Sequence, residues 1–424
     1  MADISAATRV HSVAALSPLA WLKEGTPAAR RALLGASLGW MLDAFDVMLY
    51  ALVVSALLQD LSITTTVAGF LGSLTLLASG FGGILFGLIA DRYGRRRALM
   101  SSIIIYSVFT AACGLAQSVW QLGVFRLLLG LGMGGEWTSG AAIVSETWPD
   151  RHRGKAVALM QSAWAVGYAL AALVVAPILP RFGWRAVFLI GIVPALLTLW
   201  IRHGVPESDV WLRSRGEGRQ RVGAGAVFRP PFGRMTALLT LLSIASFSAY
   251  WGLNLWVPAY LSLPPDRGGL GLSASLTTLL VVTMQAGTFI GYVSFGYIAD
   301  AVGRRRTFVT YLLTAAVLLL VYSATTDPML LLVIGPLVAL FGTGFFSGFA
   351  AVTAEIYPTA VRGLAQGFTF NMGRLGSAVA PFVVGSMAQT RGFGAAFAML
   401  AGALVIGAAT WIWLPETRGR SVAT

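Results

Sequence analysis

Five ionisable side chains stand where an apolar chain should carry no charge. Asp43, Asp46, Arg126, Glu136 and Arg374 all fall inside long hydrophobic runs. Charge near the centre of a bilayer is expensive and normally faces a partner or a water-filled cavity, so such residues mark ion or solute paths. A buried carboxylate can load and release a proton as an arginine beside it comes and goes. No histidine is placed for that task, because His11, His152 and His203 lie outside the apolar runs or at their ends. A guanidinium can grip a carboxylate with two parallel hydrogen bonds, which a lysine ammonium cannot reproduce. The set suits a proton site beside an anion site. It does not suit catalysis, since no nucleophile–base pair or metal-ligand cluster accompanies it. The single cysteine, Cys113, lies in an apolar segment, which excludes an intrachain disulfide and argues against thiol or metal chemistry.

The elements that carry these residues follow from composition. The chain has 424 residues, 57% hydrophobic and 11% charged, with a mean hydropathy of +0.76. A soluble protein carries about a quarter charged residues. Apolar runs occur at 33–57, 66–90, 98–116, 120–143, 156–180, 184–202, 235–261, 273–299, 307–324, 328–352, 363–388 and 394–414. Each suits a spanning helix with some tilt, and their continuity excludes a barrel of alternating strands. The expected fold is an all-α membrane protein with twelve transmembrane helices. The first span is expected to serve as the insertion signal, because the stretch before Arg30 is too polar for a cleavable one.

Charge orients the spans. The net charge of +13 sits in short clusters between apolar runs, with no continuous basic face for a nucleic acid, so the bilayer is the expected partner. The loops on one side hold only Arg181, Arg185, Arg267 and Arg391, while most of the 30 Lys and Arg gather on the other. That asymmetry places both termini in the cytoplasm, of a bacterial inner membrane. The expected organisation is a cytoplasmic segment (1–32), a first six-helix half (33–203), a linker (204–234), a second half (235–414) and a cytoplasmic tail (415–424). The linker carries glycines at 216, 218, 223 and 225 among its arginines and reads as flexible.

The two halves are copies. Asp91-Arg-Tyr-Gly94-Arg-Arg-Arg97 recurs 209 residues later as Asp300-Ala-Val-Gly303-Arg-Arg-Arg306. The same spacing relates Glu146 to Glu355, Pro149 to Pro358, Arg153-Gly154 to Arg362-Gly363, Gly167 to Gly376 and Pro206-Glu207 to Pro415-Glu416. Six-span parallel repeats with a midplane site between them are a transporter architecture. Gly130, Gly132, Gly134 and Gly135, and the pairs Gly83/Gly87, Gly287/Gly291 and Gly344/Gly348, read as helix-packing glycines, since no strand precedes them to make a nucleotide loop.

These residues resemble the major facilitator superfamily. Gly87-Leu-Ile-Ala-Asp91-Arg-Tyr-Gly94-Arg-Arg between spans two and three, doubled in the second half, is similar to its loop motif, and the resemblance covers nearly the whole chain. Arg126-Leu-Leu-Leu-Gly130-Leu-Gly132 resembles its second motif. Glu146 with Arg153-Gly154, and the endings Pro206-Glu207-Ser208 and Pro415-Glu416-Thr417, resemble the branch of sugar and organic-acid porters. Asp43-Ala-Phe-Asp46 looks like the proton-coupled aromatic-acid symporters, and Gly134-Gly135-Glu136-Trp137 like the lactate and sialate symporters. The resemblance implies alternating access in a two-half fold, a small organic acid as cargo and a proton as coupling ion, with no other cofactor.

Residues that break the repeat sort scaffold from site. A shift of 209 sends Asp43 to Gly252, Asp46 to Leu255, Arg126 to Gly335, Glu136 to Phe345 and Arg374 back to Ala165. A scaffold role should recur in both halves, so these one-sided charges are assigned to proton (Asp43, Asp46, Arg126, Glu136) and substrate (Arg374). At about 1.5 Å per residue, Asp46 and Arg126 both lie roughly 20 Å from the inner side, so they are expected to meet. The alternative is that this pair only fixes helix packing, or that Arg374 only neutralises the aspartates. Asn371, Tyr50, Gln161, Trp164, Tyr168, Tyr250, Trp251, Asn254, Gln285 and Phe370 are candidate cavity walls, suited to a small, partly apolar solute. Asp91, Arg95, Glu146 and Arg153, with their twins Asp300, Arg304, Glu355 and Arg362, are expected to form a charged gate closing the inner face.

The reading is a secondary transporter, expected to be a monomer, taking up a small carboxylate with protons. The alternatives are a facilitator or exporter of sugars or drugs, and a transporter-like sensor signalling through the linker.

Overall fold

In the computed structural model, residues 20–196, 198, 200–201 and 224–418 are described. The helices run Pro27–Asp60, Thr65–Tyr93, Arg95–Cys113, Val119–Thr147, Asp150–Ile190, Gly233–Ser262, Ala274–Val302, Arg304–Ala324, Pro328–Gly344, Phe346–Ile356, Thr359–Ser377 and Ala380–Thr410. Among the described residues, two kinks split two of these helices while spans ten and eleven each take two helical pieces, which gives the expected twelve spans. Gly183 at φ +75° divides span five from span six, and Gly392 at φ +81° divides span eleven from span twelve. Span one starts at Pro27, six residues before its apolar run, because Thr26 accepts from Ala29 N at 3.1 Å and Pro27 occupies the first turn. Most of the 204–234 linker lies outside the described residues.

The repeat survives as punctuation. Thr64 and Ser273 cap spans two and eight through Val67 N and Leu276 N, each at 3.3 Å, and are 209 apart. Ser118 and Asp327 cap spans four and ten at the same spacing. Gly94 and Gly303 turn the chain at φ +108° and +111°, a region that favours glycine. Local chemistry alone therefore reproduces the same hairpin in each half.

Small residues set how closely the spans approach. A methyl at Gly130 would meet Thr75 O, at Gly134 Ser79 O, at Gly287 Pro336 O and at Gly291 Leu340 O. Gly167 backs on Met41 of span one and its twin Gly376 on Ile244 of span seven. Gly87 is an exception to the expected pattern, with open space where its side chain would be. Lipid-side positions such as Leu88 and Val317 are exposed apolar residues, as a bilayer-facing surface requires.

The halves differ in where their helices break. Span ten is interrupted at Phe345 and span eleven at Ala378 and Val379, whereas the twin positions 136, 169 and 170 lie in continuous helices. In span eleven Pro381 accounts for the stop, since it has no N–H to give to the preceding turn and its ring crowds the carbonyl four residues back. Arg374 sits four residues before that break.

Candidate functional site

Two polar nodes lie inside the bundle. At the first, Arg126 is fully buried and lies flat on the Tyr50 ring, 3.6 Å from its centroid, while its Nε donates to Leu71 O at 3.3 Å. Tyr50 in turn donates its hydroxyl to Ala68 O at 2.7 Å. The expected Asp46–Arg126 ion pair is absent. Tyr50 lies four residues beyond Asp46 on the same face and intercepts the guanidinium, offering a π surface in place of a carboxylate. Tyr50 thus positions Arg126 rather than lining a cavity. Both Asp46 carboxyl oxygens are buried without a hydrogen bond. The neighbouring Thr110 hydroxyl is committed to Tyr106 O at 2.8 Å.

The second node crosses between the halves. Arg374 of span eleven, 4% exposed, is in electrostatic reach of Asp43 of span one and Glu136 of span four. Glu136 has no exposure and reaches span one because position 39 is glycine; a methyl there would fall on Glu136 Oε1. Tyr106 of span three faces Asp43, Asp46 and Glu136 together, its hydroxyl buried with no partner. Sequence reasoning passed over Tyr106. Its twin is Ala315, so extending the one-sided test from charges to hydroxyls would have found it.

Rings connect this node to the far wall. Trp40 packs at a tilt against Trp164 at 4.6 Å, Trp164 meets Trp251 at 5.8 Å, and Trp251 meets Tyr250 at 5.5 Å. Tyr250 continues to Phe346 at 5.6 Å, then Phe247 and Phe370 at 4.9 Å each. Arg374 ends the series, 5.9 Å from the Phe370 centroid. Spans one, five, seven, ten and eleven thereby share one aromatic surface ending at a cation. Trp40, Phe247 and Phe346 were not anticipated.

The remaining expected residues divide. Gln161 and Gln285 are buried, and the Gln285 Oε1 has no hydrogen-bond partner. Asn371 gives its amide to Gly367 O at 2.9 Å and keeps a buried, unbonded Oδ1 one turn from Arg374. Tyr168 and Asn254 belong to the contact between halves: the Tyr168 hydroxyl donates to Asn254 O at 2.9 Å, and the Asn254 side chain returns to Tyr250 O.

The charged loops brace each half internally. Arg95 meets Glu146 at 3.3 Å within the first half; Arg304 pairs with Asp300 and, at 3.0 Å, with Glu355 within the second. These are pairs expected within each repeat, and in this structure each joins loops of its own half. Arg153 is exposed at the same end, and the side chains of Asp91, Trp137 and Arg362 lie outside the described residues. Glu416 adds a contact that sequence reasoning did not assign. Its carboxylate accepts from Arg304 N at 2.9 Å and Arg305 N at 3.1 Å, capping span nine, and Thr417 donates to Glu355.

A two-half helical bundle with buried charges facing across its seam defines a multi-pass membrane transporter, not an enzyme. The model of the Major Facilitator Superfamily matches residues 36–268 and 262–423, one match per half. The chain belongs to that superfamily. It is 34% identical over 415 residues to a probable 4-methylmuconolactone transporter of Cupriavidus pinatubonensis, covering 95% of this chain and 94% of that one. It is 33% identical over 382 residues to the sialic acid transporter NanX of Escherichia coli, covering 88% and 91%. Among solved structures, the xylose transporter XylE from E. coli, in a partially occluded inward open conformation, superposes with a TM-score of 0.77. At 21% identity that match covers 93% of this chain and all of the other, and shows the fold.

Proposed function

We propose that the protein is a proton-coupled symporter that takes up a small organic carboxylate by alternating access, with its arginine-rich end in the cytoplasm. The observation that carries this reading is Arg374 set against Asp43 and Glu136 across the seam. One guanidinium faces two carboxyl groups from the other half, so it cannot neutralise both as ions. A substrate carboxylate that takes the two parallel N–H bonds of Arg374 withdraws it from Asp43 and Glu136, and a carboxyl stranded without its cation in a dry site takes a proton. When that proton leaves toward the cytoplasm, the carboxylate reclaims Arg374 and displaces the cargo. Binding of anion and proton is then mutually dependent, which is coupling. Asp46, without an ion partner, is the second proton site.

The aromatic surface from Trp40 to Phe370 supports a cargo with a planar or apolar body behind its carboxylate. The acid named for NanX supports the carboxylate. The proton is the coupling ion, no other cofactor is required, and one chain supplies a complete site.

The test is uptake into proteoliposomes with an imposed pH gradient, offering lactate, benzoate and a sugar acid to wild type and Arg374→Lys. Arg374→Lys keeps the charge but loses the bidentate grip, so affinity should fall at least tenfold while the protein stays folded. Near-normal affinity in that variant would leave Arg374 as a counter-ion only. Accumulation of none of the acids would remove the carboxylate reading.

A further inference from the structure

Span eleven is built in two pieces, Thr359–Ser377 with Arg374, and 380–391 beyond the break. A helix leaves its first N–H groups without partners inside the helix. The residue before the second piece is Val379, whose side chain has no acceptor to offer. The acceptor comes from the other half of the protein. Phe382 N, in the first turn, donates to Ser73 Oγ of span two at 3.0 Å. On the same turn Pro381 O accepts from Trp256 Nε1 at 2.9 Å. Gly69 allows the approach, since a methyl there would strike Pro381 O. Further out, Thr65 donates to Gly385 O at 2.9 Å and Thr66 to Gln389 Oε1 at 2.6 Å.

The companion seam, between spans five and eight, lacks this device. The twin of Ser73 is Val282, which has no acceptor, and the twin of Phe382 is Leu173, inside an unbroken helix. The two seams are therefore chemically unequal, although the fold relates them by its repeat.

We propose that Ser73 is a state-dependent helix cap, satisfying Phe382 N–H only while the outer ends of the halves are closed, and so biasing the empty carrier toward the state open to the cytoplasm. The inference rests on the alternating access in the function proposed above and on none of its assignment of cargo or proton. When the outer ends separate, Ser73 leaves with span two while Phe382 stays with span eleven. The first turn of the upper piece then loses the side-chain cap that Ser73 supplies. Ser73 is a positioning residue: it touches no substrate and acts through the backbone of span eleven.

The experiment needs no substrate. In a Cys113→Ser background, Leu255→Cys reports the outer seam, where Leu255 packs on Gly72. Gly367→Cys, whose side chain would point into open space, reports the inner side of span eleven. Ser73→Ala should raise labelling at 255 by an impermeant maleimide about fivefold, the effect of losing one helix cap, and lower it at 367. Ser73→Thr keeps an acceptor and should stay near wild type. Ser73→Val, of the same shape as threonine but with no oxygen, should behave as alanine does, which separates the cap from any packing defect. Equal labelling in the Thr and Val variants, no change in Ser73→Ala, or a rise at both reporters would overturn the proposal. Failure of every acid to be transported would leave this labelling pattern untouched, so the two readings fail separately.

Discussion

Gly39→Ala replaces one hydrogen with a methyl far from any loop, yet it should disable the polar node. The added methyl would overlap Glu136 Oε1, which is held between Gly39 and Gly140, 3.6 Å from where a methyl on the latter would stand. Glu136 cannot retreat easily, because the residue is wholly buried. Overpacking a dry site costs about 1–3 kcal/mol. If that cost falls on the geometry that sets Glu136 against Arg374, substrate affinity should drop by roughly five- to 150-fold. Glu136→Asp withdraws the carboxyl by one methylene and makes room for the methyl. The double variant should therefore recover part of what Gly39→Ala loses, with a coupling of about 0.5–3 kcal/mol in a double-mutant cycle. The assay is substrate binding to purified protein in each corner of the cycle, with uptake driven by a pH gradient as the second readout. Wild-type affinity in Gly39→Ala with Glu136 intact, or strict additivity of the two changes, would refute the placement of Glu136 against span one.

Two further predictions concern the supports of the site and of the fold. Tyr50→Phe keeps the ring under Arg126 and loses only the bond to Ala68 O, about 1 kcal/mol, whereas Tyr50→Leu also loses a desolvated cation–π contact of about 2 kcal/mol. Thermal unfolding should rank leucine well below phenylalanine, and the pH dependence of uptake should flatten in the leucine variant as the freed Arg126 turns to Asp46; equal behaviour of the two would remove the stacking argument. Glu416→Ala uncaps span nine at a cost of about 1 kcal/mol, seen as faster hydrogen exchange at the Arg304 and Arg305 amides. Burial pushes the Glu416 carboxyl up, but the N–H groups of Arg418, Arg304, Arg305 and Thr417 outweigh it and hold the group below its usual 4.5. The cap is accordingly complete above pH 4.5 and is lost as the pH falls through the lowered value, so the wild type should come to exchange like the variant only in acid.

The architecture was legible in the amino-acid sequence because its determinants are local or periodic. Twelve apolar runs, Thr64 and Ser273 at matching caps, and Gly94 and Gly303 at matching turns each act within a few residues of themselves. The one-sided charges were legible for the same reason, since a copy 209 residues away shows what a scaffold residue would be. Partners were not. Arithmetic along a helix placed Asp46 and Arg126 at one depth, but depth says nothing about azimuth, and the Tyr50 ring stood between them. Which acids Arg374 faces, that Tyr106 joins them, and that Glu136 enters span one through Gly39 depend on how two halves meet across a seam. So does the capping of Phe382 by Ser73, which lie 309 positions apart in the chain. Sequence repeats describe what each half does to itself. Contacts between halves are set by packing at a pseudo-symmetric interface, so the sequence shows where the repeat breaks and only the tertiary structure decides which of the breaking residues meet.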